Sequence, residues 1–598
     1  MCRIAGIINR AMPIAEIATR VEEMCLLMKN GGPDDNGLYV SGNEHLVLGN
    51  RRLALLDLSA NGHMPMQYRE RFHITFNGEI YNFKSLRKEL EQHGHFFKSN
   101  TDTEVVLAAF AQWNWQSFPK LKGMFAFALW DDTEKELFLV RDPAGMKPLY
   151  YAADNKSMTF ASEIRVFAPV KELQEANRSW PVYYMAYGHL PEPVTTLKKV
   201  KPLHKGCFLK YNYNTSDFSV QSFSHYSYSQ QISNASSALR SVKQSIEEST
   251  ARHLMADAPI GVFLSGGIDS SIIAIEAKKN KSSALETVSL YFNENDFSEK
   301  KYQDVLIQRL SCTYHQFLLD EKRFNENLPE ILDSIDQPSC DGINTWFISK
   351  YAQSVGLKAV LSGLGGDELF GGYPSFRRIR RSLLAQKFPD FVTSMGKRNR
   401  SKLLSRASYL RLKGTKGIYL FLRGHFGVSE IARQLGAYEK EVWETLEDQP
   451  VLKNINHLDN RDKAGWMEFN MYMQNQLLRD ADVMSMYHGV EIRLPFLDED
   501  LIRLAFRIQP SIKYKGPASK QFLINAFLEE LPREIWDRPK MGFSFPFTEW
   551  LCTSDFVKEM MLKDANKLSI ENYNQFIKGK MHWSHLMSLL MLRKKAVS

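Results

Sequence analysis

The sequence lacks the features that mark membrane-spanning, secreted and disulfide-stabilised proteins. No apolar run approaches the roughly 18 to 20 residues that a bilayer-spanning helix needs, and the N-terminus does not have the regions of a signal peptide. The cysteines show no C-x-x-C spacing of a structural zinc site; they are Cys2, Cys25, Cys207, Cys312, Cys340 and Cys552. We therefore expect a cytosolic protein in a reducing compartment, without a disulfide framework.

The chain also lacks internal repeats and long low-complexity segments. Its 598 residues, of which 44% are hydrophobic, can form more than one core, and a prior of roughly 150 residues per domain suggests about two to four domains. The stretch 213–237 is rich in Ser, Asn and Tyr, which indicates a linker. We expect one domain at residues 2–212 and another at residues 238–598.

The net charge of +8 is distributed unevenly along the chain. Residues 377–416 contain 13 Lys or Arg and a single acid, Asp390. Such a run can bind nucleic acid or another polyanion, but basic runs more often form a solvated helical face. Nucleic acid is therefore not the partner we expect.

The most informative stretch is residues 258–280, APIGVFLSGGIDSSIIAIEAKKN, which predicts a strand, a phosphate-binding loop and a helix. Gly266 and Gly267 let the backbone approach a phosphate, and the N-terminus of the following helix favours an anion. Asp269 fits such a site if Mg²⁺ lies between its carboxylate and phosphate oxygens. The loop therefore predicts a magnesium nucleotide; the alternative is an ordinary Gly-Gly turn with a Ser or Asp helix cap.

A second glycine-rich turn follows the strand-like residues 357–363 and carries Asp367. Strand-like residues 285–292 and 313–319 flank helix-like residues 300–311, and this alternation predicts a parallel sheet. Because the loops at the carboxyl ends of such strands share one crevice, we expect Asp269 and Asp367 to hold one magnesium pyrophosphate.

Cys2 is a candidate nucleophile. Removal of Met1 would leave a thiol and a free amine on the same residue, and an α-amino group with a pKa of roughly 7.7 to 8 can take the thiol proton near neutrality. The alternative is a small second residue without a chemical role.

Polar clusters at the ends of three later strands could hold an amino acid. Asp102 suits its amino group and Arg52 suits its carboxylate. The side chain of Asn77 and the N–H of Gly78 suit the oxyanion formed from a side-chain amide.

Five motifs together resemble the class II glutamine amidotransferase domain: Cys2, RRLALLD, NGEIYN, GMFAFALWD and RDPAGMKPLYY. The resemblance implies an N-terminal-nucleophile fold with two antiparallel sheets between helices, an αββα sandwich. It also implies that Cys2 attacks the glutamine carboxamide and that Asn77 and Gly78 form the oxyanion hole. The residues implied to hold the amino acid are Arg52, Glu79 and Asp102.

The string SGGIDSS resembles the pyrophosphatase loop of enzymes that cleave ATP to AMP and pyrophosphate. With residues 477–498, Lys520 and residues 538–546, the chain resembles the glutamine-dependent asparagine synthetase family over nearly its whole length. The resemblance implies a parallel α/β sheet of the adenine-nucleotide α-hydrolase type, with a helical C-terminal part. The implied ATP contacts are Leu264, Ser265, Gly266, Gly267, Asp269, Ser270, Leu290, Ser362, Gly363 and Lys520, and the implied Mg²⁺ ligands are Asp269 and Asp367.

The resemblance implies a joint reaction on small-molecule substrates. Glutamine is hydrolysed at Cys2, ammonia passes through the protein, and a carboxylate activated by ATP as an acyl-adenylate becomes an amide. An internal path is chemically sensible because free ammonia is mostly protonated in neutral water, and the adenylate must be kept from water. A homodimer is compatible with the sequence.

Three positions depart from the family pattern. Gly31 stands where the family usually has the arginine of R-G-P-D, Leu364 replaces the glutamate of S-G-E-G, and Cys340 occupies the place of an arginine that clamps aspartate. The last two changes loosen the expected preference for aspartate. We expect asparagine synthesis, with amidation of another carboxylate such as a uronic acid as the alternative.

Two other classes compete with this interpretation. One is a pyrophosphatase-loop enzyme that modifies nucleic acid, which would leave the N-terminal half without a role. The other is a non-catalytic regulatory paralogue, which is disfavoured because a full set of reactive residues is present: Cys2, Asn77, Asp102, Asp269 and Asp367.

Overall fold

The computed structural model describes residues 2–281, 284–387, 406–448, 454–542, 544–563 and 565–597. The middle of the basic run at 377–416 lies outside these residues. None of the helices in the described ranges has the length and apolar character to cross a bilayer.

The N-terminal half contains twelve strands. They are β1 (Cys2–Asn9), β2 (Asp35–Val40), β3 (Leu46–Arg52), β4 (Met66–Tyr68), β5 (Phe72–Ile80), β6 (Gly123–Asp131), β7 (Glu136–Arg141), β8 (Tyr150–Ala153), β9 (Ser157–Ala161), β10 (Lys201–Pro202), β11 (Cys207–Asn212) and β12 (Phe218–Ser222). They form two antiparallel sheets with the orders β10-β8-β9-β1-β3-β2 and β12-β11-β7-β6-β5-β4.

Helices cover the outer faces of both sheets, because alternate residues of each buried strand face opposite layers. Ile4 and Ile8 of β1 pack against Trp130 of the other sheet, whereas Ile7 packs against Val21 of an outer helix. The longer helices of this half are Ile14–Leu27, Phe83–Gln92, Asp102–Trp113 and Trp180–Tyr187; short 3₁₀ turns lie at Lys29–Gly31, Ala60–Gly62, Asn114–Lys120, Arg165–Phe167 and Lys171–Leu173. The predicted αββα sandwich is confirmed.

The predicted linker at 213–237 is not entirely irregular. Strand β12 lies within it and pairs with β11, and the helix Ala235–His253 begins before its end. Every residue of β12 is exposed, since β12 is an edge strand with few apolar side chains. The polar composition of β12 therefore made it look like part of a linker. The irregular connection between β12 and the first C-terminal helix is only residues 223–234.

The C-terminal half is built on one parallel sheet, as predicted. Its strands are β13 (Ile260–Phe263), β14 (Glu286–Tyr291), β15 (Thr313–Leu318), β16 (Ala359–Leu361) and β17 (Glu491–Arg493), in the order β15-β14-β13-β16-β17. The strand order reverses at β13: β14 and β15 lie on one side of it, and β16 and β17 lie on the other. This switch point places the loops after β13 and β16 beside each other.

Helices surround this sheet and form the C-terminal part. They are Ala235–His253, Ile268–Asn280, Lys300–Leu310, Glu321–Ser334, Ile343–Ser354, Gly366–Phe370, Ser375–Ala385, Thr415–Arg423, Val428–Leu435, Glu439–Asp448, Asn460–Met467, Leu478–Met486, Glu499–Arg507, Pro510–Lys513, Gln521–Ala526, Arg533–Trp536, Phe547–Cys552, Asp555–Leu562, Lys567–Ile577 and Trp583–Val597. A π-helical segment, Glu468–Leu477, joins two of them, and 3₁₀ turns lie at Ala407–Arg411 and Pro495–Leu497. Such π segments often occur at functional sites.

Arg493 of β17 connects the two halves. It is fully buried, and its guanidinium lies 3.0 Å from Glu79 Oε2 of β5 and 2.6 Å from Glu491 Oε1. It also donates hydrogen bonds to the carbonyls of His253 and Met255. The two carboxylates and the guanidinium are thus buried together at the boundary between the halves.

We expect Arg493→Met to destabilise the protein by about 3–5 kcal/mol, because it leaves Glu79 and Glu491 buried without their cation. Arg533→Met is the control: Arg533 is 78% exposed and pairs with Asp537 one helical turn away, so its loss should cost less than about 1 kcal/mol. Urea unfolding followed by tryptophan fluorescence compares the two, and equal midpoints would contradict the assigned role of Arg493.

Candidate active sites

Cys2 is the first residue of β1 and is 4% exposed. Burial raises the pKa of its thiol to about 11, although the nearby Arg52 and a Leu53 backbone group oppose the shift. A thiol with so high a pKa is not ionised at neutral pH, so it needs a base in direct contact to react. An α-amino group on Cys2 itself would meet that need.

Asn77 and Gly78 lie on β5, which packs against β1. Asn77 is fully buried, and neither its amide nitrogen nor its amide oxygen has a hydrogen-bond partner within the protein. A buried amide without partners is costly, which indicates that a ligand provides them. A Cβ added at Gly78 would lie 2.3 Å from the Met124 carbonyl oxygen and 2.7 Å from Phe125 Cα, so only glycine fits.

Arg52 shapes the loop that follows β3. Its guanidinium donates to three carbonyls of that loop: Leu56, Asp57 and Ser59. A Cβ at Gly62 would lie 1.9 Å from the Arg52 Nη2 atom, so the loop closes tightly over the guanidinium. Arg52 therefore lies beside Cys2 in the β1–β3 register and holds one wall of the site.

Asp102 begins the helix Asp102–Trp113 because Thr101 caps it, with the Thr101 hydroxyl accepting from Glu104 N. The Asp102 carboxylate accepts a hydrogen bond of 2.8 Å from Ile80 N at the end of β5. Burial raises its pKa to about 6. Asp102 thus adjoins the Asn77–Ile80 segment, whereas the Glu79 carboxylate is directed to Arg493.

The second site is a cavity of about 1130 Å³ at the carboxyl edge of the parallel sheet. All the predicted ATP contacts line it except Gly266; they are Leu264, Ser265, Gly267, Asp269, Ser270, Leu290, Ser362, Gly363 and Lys520. Gly266 contributes the turn, since its φ of +82° is a left-handed conformation that favours glycine. The helix Ile268–Asn280 begins at the cavity wall, where its N-terminus favours an anion.

Lys520 joins the two predicted metal ligands. Its Nζ lies 2.6 Å from Asp269 Oδ2 and 2.6 Å from Asp367 Oδ1, and Lys540 Nζ lies 2.8 Å from Asp367 Oδ2. Lys520 has a φ of +57°, a strained conformation for a non-glycine residue that is often found at functional sites. Although burial opposes it, the two lysines lower the pKa of Asp367 to about 2, so this carboxylate is ionised at neutral pH.

The carboxylates fit Mg²⁺. Asp269 Oδ1 is buried without a hydrogen-bond partner, and carboxylate oxygens are the hard ligands that Mg²⁺ prefers. No group of three or more metal-binding side chains occurs in the described part of the chain. Mg²⁺ is commonly held by one or two carboxylates together with substrate phosphates, which agrees with this pair.

The cavity lining also carries side chains of both charges. Arg377 and Arg378 line it, as do Asp341 and Asp480. Leu364 also lines it, so an apolar side chain stands where the family pattern has a glutamate. Cys340 is not among the lining residues.

Cys340 instead packs behind the wall. Its Sγ lies 3.7 Å from Gln476 Nε2, and its N–H donates to the carbonyl of Gly188. The sequence pattern predicted that Cys340 stands in place of the arginine that clamps aspartate. In the structure, Cys340 does not line the cavity. The neighbouring Asp341 reaches the surface.

Sequence reasoning did not identify Arg3, Arg493 or Asp480. Arg3 is a charged residue inside an otherwise apolar strand, and Arg493 stands with Glu491 in a short strand flanked by apolar residues; charged residues in such segments are the signal that could have identified them. Asp480 belongs to a motif that the sequence singled out, but nothing local indicates that it reaches the cavity.

We expect Gly78→Ala to reduce glutamine hydrolysis at least about 100-fold, because the added methyl displaces a donor of the oxyanion site. Synthesis from added ammonium salt should be unchanged. Gly42→Ala is the control, since nothing lies within 4 Å of a Cβ there. Glutamate release is the measurement, and near-normal release from Gly78→Ala would contradict the placement of the oxyanion site.

Comparison with known proteins gives matches over both halves. Residues 241–589 match the family described as Asparagine synthase, and residues 1–224 match the Glutamine amidotransferase domain. Asparagine synthetase (glutamine-hydrolyzing) 1 of Bacillus subtilis (strain 168) is 30% identical over 574 residues, covering 92% of this chain and 88% of that protein. Asparagine synthetase (glutamine-hydrolyzing) 3 of the same organism is 28% identical over 596 residues, covering 94% and 91%.

A relative with a different name matches over a similar length. Amidase chry2 of Gibberella zeae (strain ATCC MYA-4620 / CBS 123657 / FGSC 9075 / NRRL 31084 / PH-1) is 25% identical over 589 residues, covering 90% of this chain and 86% of that protein.

Proposed function

The chain belongs to the asparagine synthetase family of glutamine-hydrolysing ligases, and we propose that it converts aspartate, ATP and glutamine to asparagine, glutamate, AMP and pyrophosphate. The observation that supports this most is the Lys520 ammonium between Asp269 and Asp367, in one cavity with the phosphate loop. That set can bind a magnesium nucleotide and stabilise the charge of departing pyrophosphate.

In the N-terminal site, the α-amine of processed Cys2 takes the thiol proton as sulfur attacks the glutamine amide carbon. The Asn77 amide and the Gly78 N–H stabilise the oxyanion. Collapse of the tetrahedral intermediate releases ammonia, and water then releases glutamate. The buried, partner-free amide of Asn77 supports this role because it is a preorganised donor in a dry site.

In the C-terminal cavity, the acceptor carboxylate attacks the α-phosphorus of ATP and pyrophosphate leaves. Bound Mg²⁺ would neutralise phosphate charge there, held by Asp269 and Asp367. Lys520 and Lys540 place two further cations at the same carboxylates. The acyl-adenylate then reacts with ammonia to give the amide and AMP.

The charges of the cavity lining favour an amino acid as acceptor, and we call the wall that carries Asp341 and Asp480 the acceptor end. Aspartate carries an ammonium group and an α-carboxylate besides the carboxylate that reacts. Asp341 and Asp480 are of the right charge for the ammonium, and Arg377 and Arg378 for the α-carboxylate. A sugar acid has no cation for the two acids to bind.

A second acceptor class has its own support. Leu364 at the cavity surface cannot orient a charged acceptor, and a cavity of about 1130 Å³ exceeds the roughly 300–1,000 Å³ of typical small-molecule sites. The second candidate is therefore amidation of a larger carboxylate, such as a uronic acid.

The two half-reactions should separate by mutation. Asp269→Asn should abolish pyrophosphate release with either glutamine or ammonium as nitrogen donor, because it removes a Mg²⁺ ligand. Cys2→Ala should abolish glutamine hydrolysis but keep ammonium-driven synthesis. Asp304→Asn, which alters a surface pair with Lys300 and a hydrogen bond from Gln316, is the control. An Asp269→Asn enzyme active with ammonium, or formation of ADP, would contradict the proposal.

The acceptor is identified by pyrophosphate release with ATP, Mg²⁺ and ammonium across aspartate, uronic acids and their nucleotide conjugates. We expect saturable asparagine formation at millimolar aspartate. In Asp480→Asn we expect the KM for aspartate to rise at least about 10-fold, because the ammonium group of bound aspartate loses a carboxylate partner. Release with a uronic acid but not with aspartate would establish the second candidate instead.

A further inference from the structure

Arg3 immediately follows the nucleophile Cys2 on β1 and is fully buried. Its guanidinium reaches into the C-terminal half: Nη1 donates to Asp482 Oδ2 at 2.6 Å, and Nη2 donates to the Asp482 carbonyl at 3.3 Å. Its Nε lies 2.9 Å from Glu163 of its own half. A charged side chain of this size is rarely fully buried unless it is paired.

The pairs of Arg3 belong to a larger buried charge cluster. Lys147 Nζ lies 3.0 Å from Asp482, and Arg165 Nε lies 2.9 Å from Glu163 and 3.5 Å from Asp336. The N-terminal half contributes three cations and one carboxylate, and the C-terminal half contributes the carboxylates of Asp336 and Asp482. Neither half neutralises its own charges, so the cluster is balanced only when the halves are correctly apposed.

Both acids of the C-terminal half stand near the acceptor end of the cavity. Asp482 lies on the helix Leu478–Met486, two residues after Asp480, which lines the cavity. Asp336 begins the segment that leads to Asp341 on the same wall. The cluster therefore joins the strand that carries Cys2 to the two elements that carry the acceptor-end acids.

We propose that Arg3 is a positioning residue that couples the two sites, by holding the Cys2 strand against the helix Leu478–Met486. The inference rests on the proposed function. Its role is to make glutamine hydrolysis match consumption of the activated carboxylate, so that one glutamate forms per pyrophosphate. Arg3 touches no reacting atom in either site.

The neighbouring Gly31 provides a way to test the role of the guanidinium itself. A Cβ built at Gly31 would lie 2.9 Å from Arg3 Cγ and 3.0 Å from Arg3 Nε. The Arg3 side chain thus fills the space that a residue 31 side chain would occupy. An arginine at position 31 can take this space once Arg3 is removed.

The primary variant is Arg3→Lys, which keeps the charge but cannot donate to the Asp482 carboxylate and the Asp482 carbonyl while also pairing with Glu163. With all substrates present, we expect the ratio of glutamate to pyrophosphate to rise about fivefold or more above that of the wild type, the lower range of typical coupling. Ammonium-driven synthesis should stay within about twofold, because the C-terminal site is not altered. Arg20→Lys, at an exposed pair with Glu16, is the control and should keep the wild-type ratio.

The rescue variant is Arg3→Gly combined with Gly31→Arg, and it should lower the ratio back toward the wild-type value. An Arg3→Lys protein with a wild-type ratio overturns the inference, as does a double variant that recovers the thermal midpoint but not the ratio. If the wild type releases no pyrophosphate with any carboxylate, the proposed function fails instead, so the two failures are distinguishable.

Discussion

The structure depends on buried charges that each half of the chain leaves for the other to neutralise. Arg493 of the C-terminal half lies between its own Glu491 and Glu79 of the N-terminal half. Arg3 and Lys147 of the N-terminal half reach Asp482 of the other. Breaking one such pair leaves a buried charge without its partner, which costs several kcal/mol. A shift of one half relative to the other would break all of these pairs at once. The relative position of the two sites is therefore set by electrostatics as well as by apolar packing.

These contacts lie next to the chemistry. Glu79 follows Asn77 and Gly78, the proposed oxyanion residues, on β5, and the Arg493 carbonyl accepts a hydrogen bond of 2.9 Å from Ser362 N at the edge of the C-terminal cavity. The residues that hold the halves together are thus within a few positions of those that line each site. A glutamine-hydrolysing ligase needs such an arrangement, because ammonia made in one site must reach the other before it is protonated in water.

The features that the sequence predicted well are local ones. The Gly266–Asp269 loop, the alternating strands and helices around it and the buried strand that begins at Cys2 depend on short stretches whose backbone geometry is encoded in place. The sequence missed what depends on distant partners: Arg3 pairs with Asp482 and Arg493 with Glu79, each hundreds of residues away. It also missed β12, whose polar residues suit an exposed edge strand as well as a linker. The sequence predicted the acceptor end only in part. It singled out Cys340, whereas Asp341, next to the turn at Gly342, is the residue that lines the cavity.

The proposed reaction requires a carboxylate to be activated by bonding to the α-phosphorus of ATP. The most direct measurement uses an acceptor carboxylate labelled with ¹⁸O, with ATP, Mg²⁺ and ammonium, followed by mass spectrometry of the products. Attack at the α-phosphorus predicts one ¹⁸O atom in each AMP, left behind when ammonia displaces the adenylate. Label in inorganic phosphate, or AMP without label, would contradict the account.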